Sequence, residues 1–147
     1  MIIREFSEHD IDEITTLMKK LCKIKGKDFN EDRWRRSLEK QMEQDTNTEV
    51  FVAFNETNNE ILGMAYSAIK NSEKGFRFGY ISNLIVREEK RRTGIGELLI
   101  SHIIDYFKRN HINSVRIALE KNLDRAAKVL FTKLGFNEIL SIYELQI

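Results

Sequence analysis

The chain has 147 residues, 24 Lys+Arg against 23 Asp+Glu, 41% hydrophobic residues, 32% charged residues and no proline. That length predicts one domain, residues 1–147, whose core needs neither disulfides nor a structural metal, and the globular proportions exclude wholesale disorder. A net charge of +1 excludes the strong basic excess of a dedicated nucleic-acid binder. Cys22 is alone and reads as a small core residue on a helix. Ile2 and Ile3 are followed at once by Arg4 and Glu5, which is not the pattern of a signal peptide. No run approaches the ~18 apolar residues of a membrane span. The expectation is a cytoplasmic protein with no nucleic-acid and no membrane partner.

Ile2 to Phe6 reads as a first strand. Ser7 or Asp10 offers a helix N-cap, with Glu13 three residues after Asp10 as its capping-box partner. Ile11, Ile14, Leu17, Met18 and Leu21 follow at helical spacing, and Gly26 marks the exit. A second helix begins after Asn30 on the stripe Trp34, Leu38, Met42. Trp34 reads as a core anchor. Val50 to Phe54 is rich in strand formers. After a polar turn, Ile61 to Ile69 reads as its partner, with Leu62, Met64, Tyr66 and Ala68 on one face. A third long strand, Phe76 to Val86, ends in the apolar run Leu84-Ile85-Val86.

The second half alternates. A helix from Ile95 to Lys108 carries Leu98, Leu99, Ile103 and Phe107. A strand covers Ser114 to Leu119. Another helix carries Leu123, Ala126, Ala127, Leu130 and Leu134, and Gly135 stands where a left-handed C-cap belongs. Asn137 to Ile147 reads as a closing strand. The order β-α-α-β-β-β-α-β-α-β, hairpins first and a crossover last, predicts an α/β (α+β) fold: a mixed, mostly antiparallel sheet flanked by four helices.

The segment between the third long strand and its following helix carries the chemistry. Gly94 and Gly96 open that helix, where first-turn N–H groups lack internal partners and the helix dipole adds positive potential. Glycines leave room for a bulky anion, and Arg87, Lys90, Arg91 and Arg92 supply cations around it. The dinucleotide fingerprint G-x-G-x-x-G fails, because Leu99 stands where its third glycine belongs, and a P-loop fails for want of Gly-Lys-Ser/Thr. His9, His102 and His111 show no metal-ligand spacing, so no metal is expected.

Arg91-Arg92-Thr93-Gly94-Ile95-Gly96 resembles the R/Q-x-x-G-x-G/A motif of the GNAT family of N-acetyltransferases. Leu84-Ile85-Val86 is similar to the end of that family's fourth strand. Ala127, Leu130, Phe131, Leu134, Gly135 and Phe136 resemble its second motif, which usually ends in Tyr-x-x-x-Gly-Phe. The resemblance implies an enzyme that transfers the acetyl group of acetyl-CoA directly to an amine on a small molecule or protein. Arg91, Arg92, Thr93, Gly94, Ile95 and Gly96 would hold the pyrophosphate. Leu84, Ile85 and Val86 would pair with the pantetheine arm, and the thioester would enter where that strand parts from the next. The family's usual asparagine falls at Asp124, with Asn122 close by as the stand-in. Dimers are common among similar proteins, so a homodimer is an open expectation. Two departures stand out. The tyrosine that protonates the departing thiolate is replaced by Phe131, and the fourth-strand carboxylate by Ser82 and Asn83. Glu120 and Tyr143 are the remaining candidates for the base. In the family the first two helices often wall the acceptor site, which the resemblance extends to Phe29 and Trp34. The departures keep a different reading open, a catalytically inactive acyl-CoA-binding sensor of the same fold.

Overall fold

Twelve consecutive residues, Glu60–Asn71, form the longest strand and the centre of the sheet. The structure is a computed structural model that describes residues 1–24, 26–42, 47–87, 90, 93–119 and 125–147. It has two compact units, Met1–Ile117 and Ala118–Ile147.

The first unit holds strands β1 (Ile2–Glu5), β2 (Thr48–Asn55), β3 (Glu60–Asn71), β4 (Arg77–Val86) and β5 (Val115–Ile117), paired in that order. The β1–β2, β2–β3 and β3–β4 pairs are antiparallel, and β4–β5 is parallel. Helix α3 (Ile95–Arg109) makes the crossover that a parallel pair requires. Helices α1 (Ile11–Ile24) and α2 (Glu31–Met42) cover one face of the sheet. Ile14, Leu17, Trp34 and Leu38 pack there on Val50, Val52, Met64, Tyr66 and Ile85. Helix α3 contributes Leu99, Ile100, Ile103 and Phe107, all fully buried. A Cβ at Gly79 would lie 2.5 Å from the Phe107 ring, so glycine there lets helix and strand approach. With helices on both sides, Ile61 to Ser67 are buried without alternation.

Most helix signals are realised. Asn30 Oδ1 accepts the Arg33 N–H at 3.0 Å and caps α2. Gly26, at φ 65°, closes α1. Cys22 is buried as expected. Four expectations are corrected. Of the two caps offered, Ser7 holds the N-cap position, of the turn that leads into α1, and Asp10 is not the cap of α1. It closes a 3₁₀ turn, Glu8–Asp10, by accepting the Ser7 N–H at 2.8 Å, while Glu13 turns to the Ile61 N–H at 2.7 Å. Leu62 does not join Met64 and Tyr66 on the α1/α2 face. Ile61 pairs with Phe54 and Gly63 with Ala53, so Leu62 is the extra residue of a bulge and Ile61 takes its place. Leu98 is 47% exposed because Ile95, Leu99, Ile103 and Phe107, four apart, already fill the buried face of α3. Finally, the closing strand over 137–147 is not formed.

In the second unit, α4 (Arg125–Lys133) ends as expected at Gly135, φ 92°, with Phe136 N–H donating to the Phe131 carbonyl at 2.9 Å. Leu123, expected on its stripe, lies outside the described residues. Residues 137–147 are irregular despite their apolar content. A strand is made by its ladder, and this segment has no ladder partner among the described residues.

Candidate active site

The site grows out of the end of β4. Tyr66 pairs with Ser82 but Met64 pairs with Ile85, so β4 spends three steps where β3 spends two. The extra residue is taken up at Asn83, whose φ of 51° is left-handed. Asparagine tolerates that region better than most residues. This bulge turns the backbone out of the ladder just where β4 loses its other neighbour. β5 pairs with β4 only over Gly79–Ile81. From Ser82 to Val86 the β5-facing edge of β4 has no ladder partner among the described residues. Leu84 and Val86 are half-buried on that edge, and Ile85 is buried beneath α1 and α2.

The chain then passes to α3. Lys90 N–H donates to the Arg87 carbonyl at 2.9 Å, and Thr93 Oγ1 donates to the Lys90 carbonyl. Gly94 sits at φ 86°, ψ 4°, and caps α3. A Cβ there would meet nothing within 4 Å among the described residues, which leaves room in front of the first turn. Ile95 is buried and anchors the turn. Gly96 faces Val86, with 3.7 Å from its ideal Cβ to Val86 Cγ2, which joins the helix start to the open strand edge. Leu84, Ile85, Val86, Thr93, Gly94, Ile95 and Gly96 thus lie along one continuous strip of backbone. Arg91 and Arg92, also expected there, lie outside the described residues, as do Glu120 and Asn122.

Arg87 is a correction. Its guanidinium turns away from the loop, with Nε 3.0 Å from Glu60 Oε1 and 2.7 Å from the Ile61 carbonyl, and Nη2 3.4 Å from Glu13 Oε1. It ties α1 to the β3–β4 end and is not a mobile cation. Phe131 lies on α4 in the second unit, its ring 5.9 Å from Phe136. Tyr143 is exposed in the irregular segment of that unit.

Trp34 is the core anchor it was expected to be, edge-on to Tyr66 at 5.9 Å and tilted against Phe29 at 6.4 Å. Among the described residues, Trp34 Nε1 and the Tyr66 hydroxyl are buried without a hydrogen-bond partner. Burial pushes the Tyr66 phenol well above its ordinary value. The Ser37 side chain tempers that shift. A phenol held so firmly protonated is no base. His102 packs edge-on to Phe51 at 5.0 Å, and burial lowers its pKa, helped by Arg109. Two features escaped the sequence reading, the bulge at Asn83 and the row of cations and rings across β3, β4 and β5. The only sequence hint of the first was an asparagine inside an apolar strand.

The model of the "Acetyltransferase (GNAT) family" matches residues 14–136, across both units. Solved structures share the fold. A probable acetyltransferase matches at TM-score 0.84 and 21% identity, covering 100% of this chain and 98% of its own. A possible acetyltransferase from Clostridium difficile 630 matches at TM-score 0.81 and 22% identity, covering 99% and 97%. A predicted acetyltransferase from Clostridium acetobutylicum, crystallised with acetyl-CoA, matches at TM-score 0.79 and 20% identity, covering 99% and 95%. No curated protein matches in sequence. With an open, bulged fourth strand running into a glycine-capped helix, and a family model spanning most of its length, the chain belongs to the GNAT acetyltransferase family.

Proposed function

We propose that this protein transfers an acetyl group from acetyl-CoA directly to a primary amine. The observation that carries the reading is the edge of β4 from Ser82 to Val86, without a ladder partner among the described residues, leading to the first turn of α3 at Gly94. An extended, amide-bearing arm adds to such an edge as a strand does. The bound acetyl-CoA of the Clostridium acetobutylicum neighbour supports the choice of donor.

In this reading the N–H groups of Gly94, Ile95 and Gly96 donate to the pyrophosphate, with Thr93, Arg91 and Arg92 beside it. The backbone of Leu84, Ile85 and Val86 pairs with the pantetheine amides. A backbone N–H beside the Asn83 bulge, at Leu84, donates to the thioester carbonyl oxygen as charge develops there. The family resemblance further implies cofactor-binding roles for Asn122 and Phe131. An N–C bond forms as the C–S bond breaks. The amine, with a pKa near 10, first gives up its proton, to Glu120, Tyr143 or water. Phe131 has no proton to give. A thiolate leaves without one more readily than most groups, since thiols have pKa values near 8.5.

The second reading, an acyl-CoA-binding protein without turnover, is favoured by Phe131 and by Ser82 and Asn83 in place of a carboxylate. Acetyl-CoA turnover against an amine panel separates the two. Acetylation of any amine by the wild-type chain establishes the enzyme. Binding of acetyl-CoA with turnover appearing only in Phe131→Tyr establishes the sensor. No binding at all overturns both.

A further inference from the structure

Past the reach of α1 and α2, the sheet face that carries Met64 and Tyr66 continues into a different surface. Lys70 pairs with Phe78, and Tyr80 pairs with both Ala68 and Arg116, so these side chains share that face across β3, β4 and β5. The Lys70 ammonium lies 4.6 Å above the Tyr80 ring. The Arg116 guanidinium lies 4.2 Å above Phe78 and 5.1 Å above Phe76, itself 43% exposed. Arg116 Nε is buried and donates to nothing among the described residues.

Three arginines that do meet carboxylates show the contrast. Arg4 also stacks on a ring, Phe54 at 4.5 Å, but it meets Asp10 at 2.8 Å as well. Arg35 meets Asp12, and Arg87 meets Glu60. Lys70 and Arg116 have rings beneath them and, among the described residues, no carboxylate beside them. A half-desolvated guanidinium with an unmet donor is short of one acceptor.

We propose that this row binds a carboxylate of the acceptor, so the substrate is an anionic primary amine. This rests on the acetyl-transfer reading above and names its substrate class. The geometry also sets a length. From Tyr80 to the bulge at Asn83–Leu84 is three to four residues of β4, roughly 10–13 Å at about 3.3 Å each. A free α-amino acid is too short to hold its carboxylate on Arg116 and reach the open edge. A short peptide, at about 3.3–3.6 Å per residue, or a long-chain ω-amino acid such as 8-aminooctanoate is long enough. Polyamines meet like charge on this face and are disfavoured.

The test compares amines that differ only in charge: triglycine against triglycinamide, and 8-aminooctanoate against 8-aminooctanamide, with acetyl-CoA in excess. The acids are expected to show a KM about tenfold or more lower than their amides, with kcat little changed. Arg116→Gln removes the preference, Lys70→Gln reduces it, and Arg116→Lys restores part of it, with melting curves reporting that each variant is folded. Equal KM values for acid and amide overturn the proposal, as does a preference that survives in the folded double variant Arg116→Gln/Lys70→Gln. A second readout does not need turnover. Glutarate is titrated against the side-chain Nε–H signal of Arg116 by NMR, with glutaramide as the neutral control. A shift with glutarate alone supports the carboxylate site even if the transferase reading fails. No shift, or equal shifts with both, overturns it.

Discussion

Asp10 is the residue whose charge the fold uses most directly. It is buried, and its carboxylate accepts from Arg4 Nη1 at 2.8 Å and Nη2 at 2.9 Å and from the Ser7 N–H. Burial pushes its pKa up, but the Arg4 and Ser7 hydrogen bonds together outweigh it and hold the group below its ordinary 3.8. The folded state thus binds this proton more weakly than the unfolded chain. The contribution is present in full above the ordinary Asp range and is lost as pH falls through the lower, folded value. Thermal melts from pH 7 down to pH 2 should show this loss, and Asp10→Asn should remove that part of the slope. The variant should cost roughly 1.5–3 kcal/mol at neutral pH. Tyr66 poses the opposite case. Its buried hydroxyl has no well-formed hydrogen bond among the described residues, so Tyr66→Phe should leave stability unchanged or raise it, by up to ~1 kcal/mol in urea unfolding. At Gly94 the backbone itself is the constraint. Gly94→Ala should cost ~1–2 kcal/mol through its left-handed φ, and it should weaken acetyl-CoA binding by filling open space. Gly96→Ala carries no such backbone penalty, and its Cβ makes only ordinary contact with Val86. Calorimetry and melting of the two variants with and without acetyl-CoA separate backbone strain from ligand contact.

Among the elements, the junction of β4 and α3 is the tightest. The Phe107 ring lies where a Cβ on Gly79 would be, so Gly79→Ala forces one of them to move. The expected cost is roughly 1–3 kcal/mol of unfolding free energy, read by denaturant titration, with a loss confined to packing if acetyl-CoA still binds. Element identity was largely legible in the sequence. The stripe of α1, the Asn30 cap, Gly26, Gly135 and the hairpin strands are local signals, and local physics sets them. What was not legible depends on register. Leu62 lost its expected face, and Asn83 gained its role, through bulges that only cross-strand pairing defines. Arg87 was read as a cation of the loop because nothing in its neighbourhood announces Glu13, 74 residues away. The Lys70–Tyr80–Arg116 row was invisible for the same reason. The glycine loop was legible because its chemistry lies in consecutive residues.

For the molecule as a whole, ligand linkage gives the broadest check. If acetyl-CoA binds only the native chain, a concentration of 100 Kd should add about 2.7 kcal/mol to stability, seen as a rise in Tm that grows with the logarithm of concentration. Phe131→Tyr should change turnover modestly, and the pH–rate profile should follow the amine or its base. A profile that instead gains a new limb near 10 in the variant would assign the phenol a role in the wild-type family pattern.

The parallel pairing of β5 with β4 spans only three rungs, Gly79–Val115, Tyr80–Arg116 and Ile81–Ile117. β3, by contrast, is laddered on both sides and buried through Ser67. Amide protons on the two strands therefore report different events. Those of Met64 to Ser67 leave only when the whole sheet opens, whereas those of β5 are released by a partial opening that costs far less. In deuterium exchange under native conditions, peptides covering 115–117 should label well before those covering 61–67. If acetyl-CoA takes the open edge next to these three rungs, as proposed, it should slow the first set and leave the second nearly unchanged.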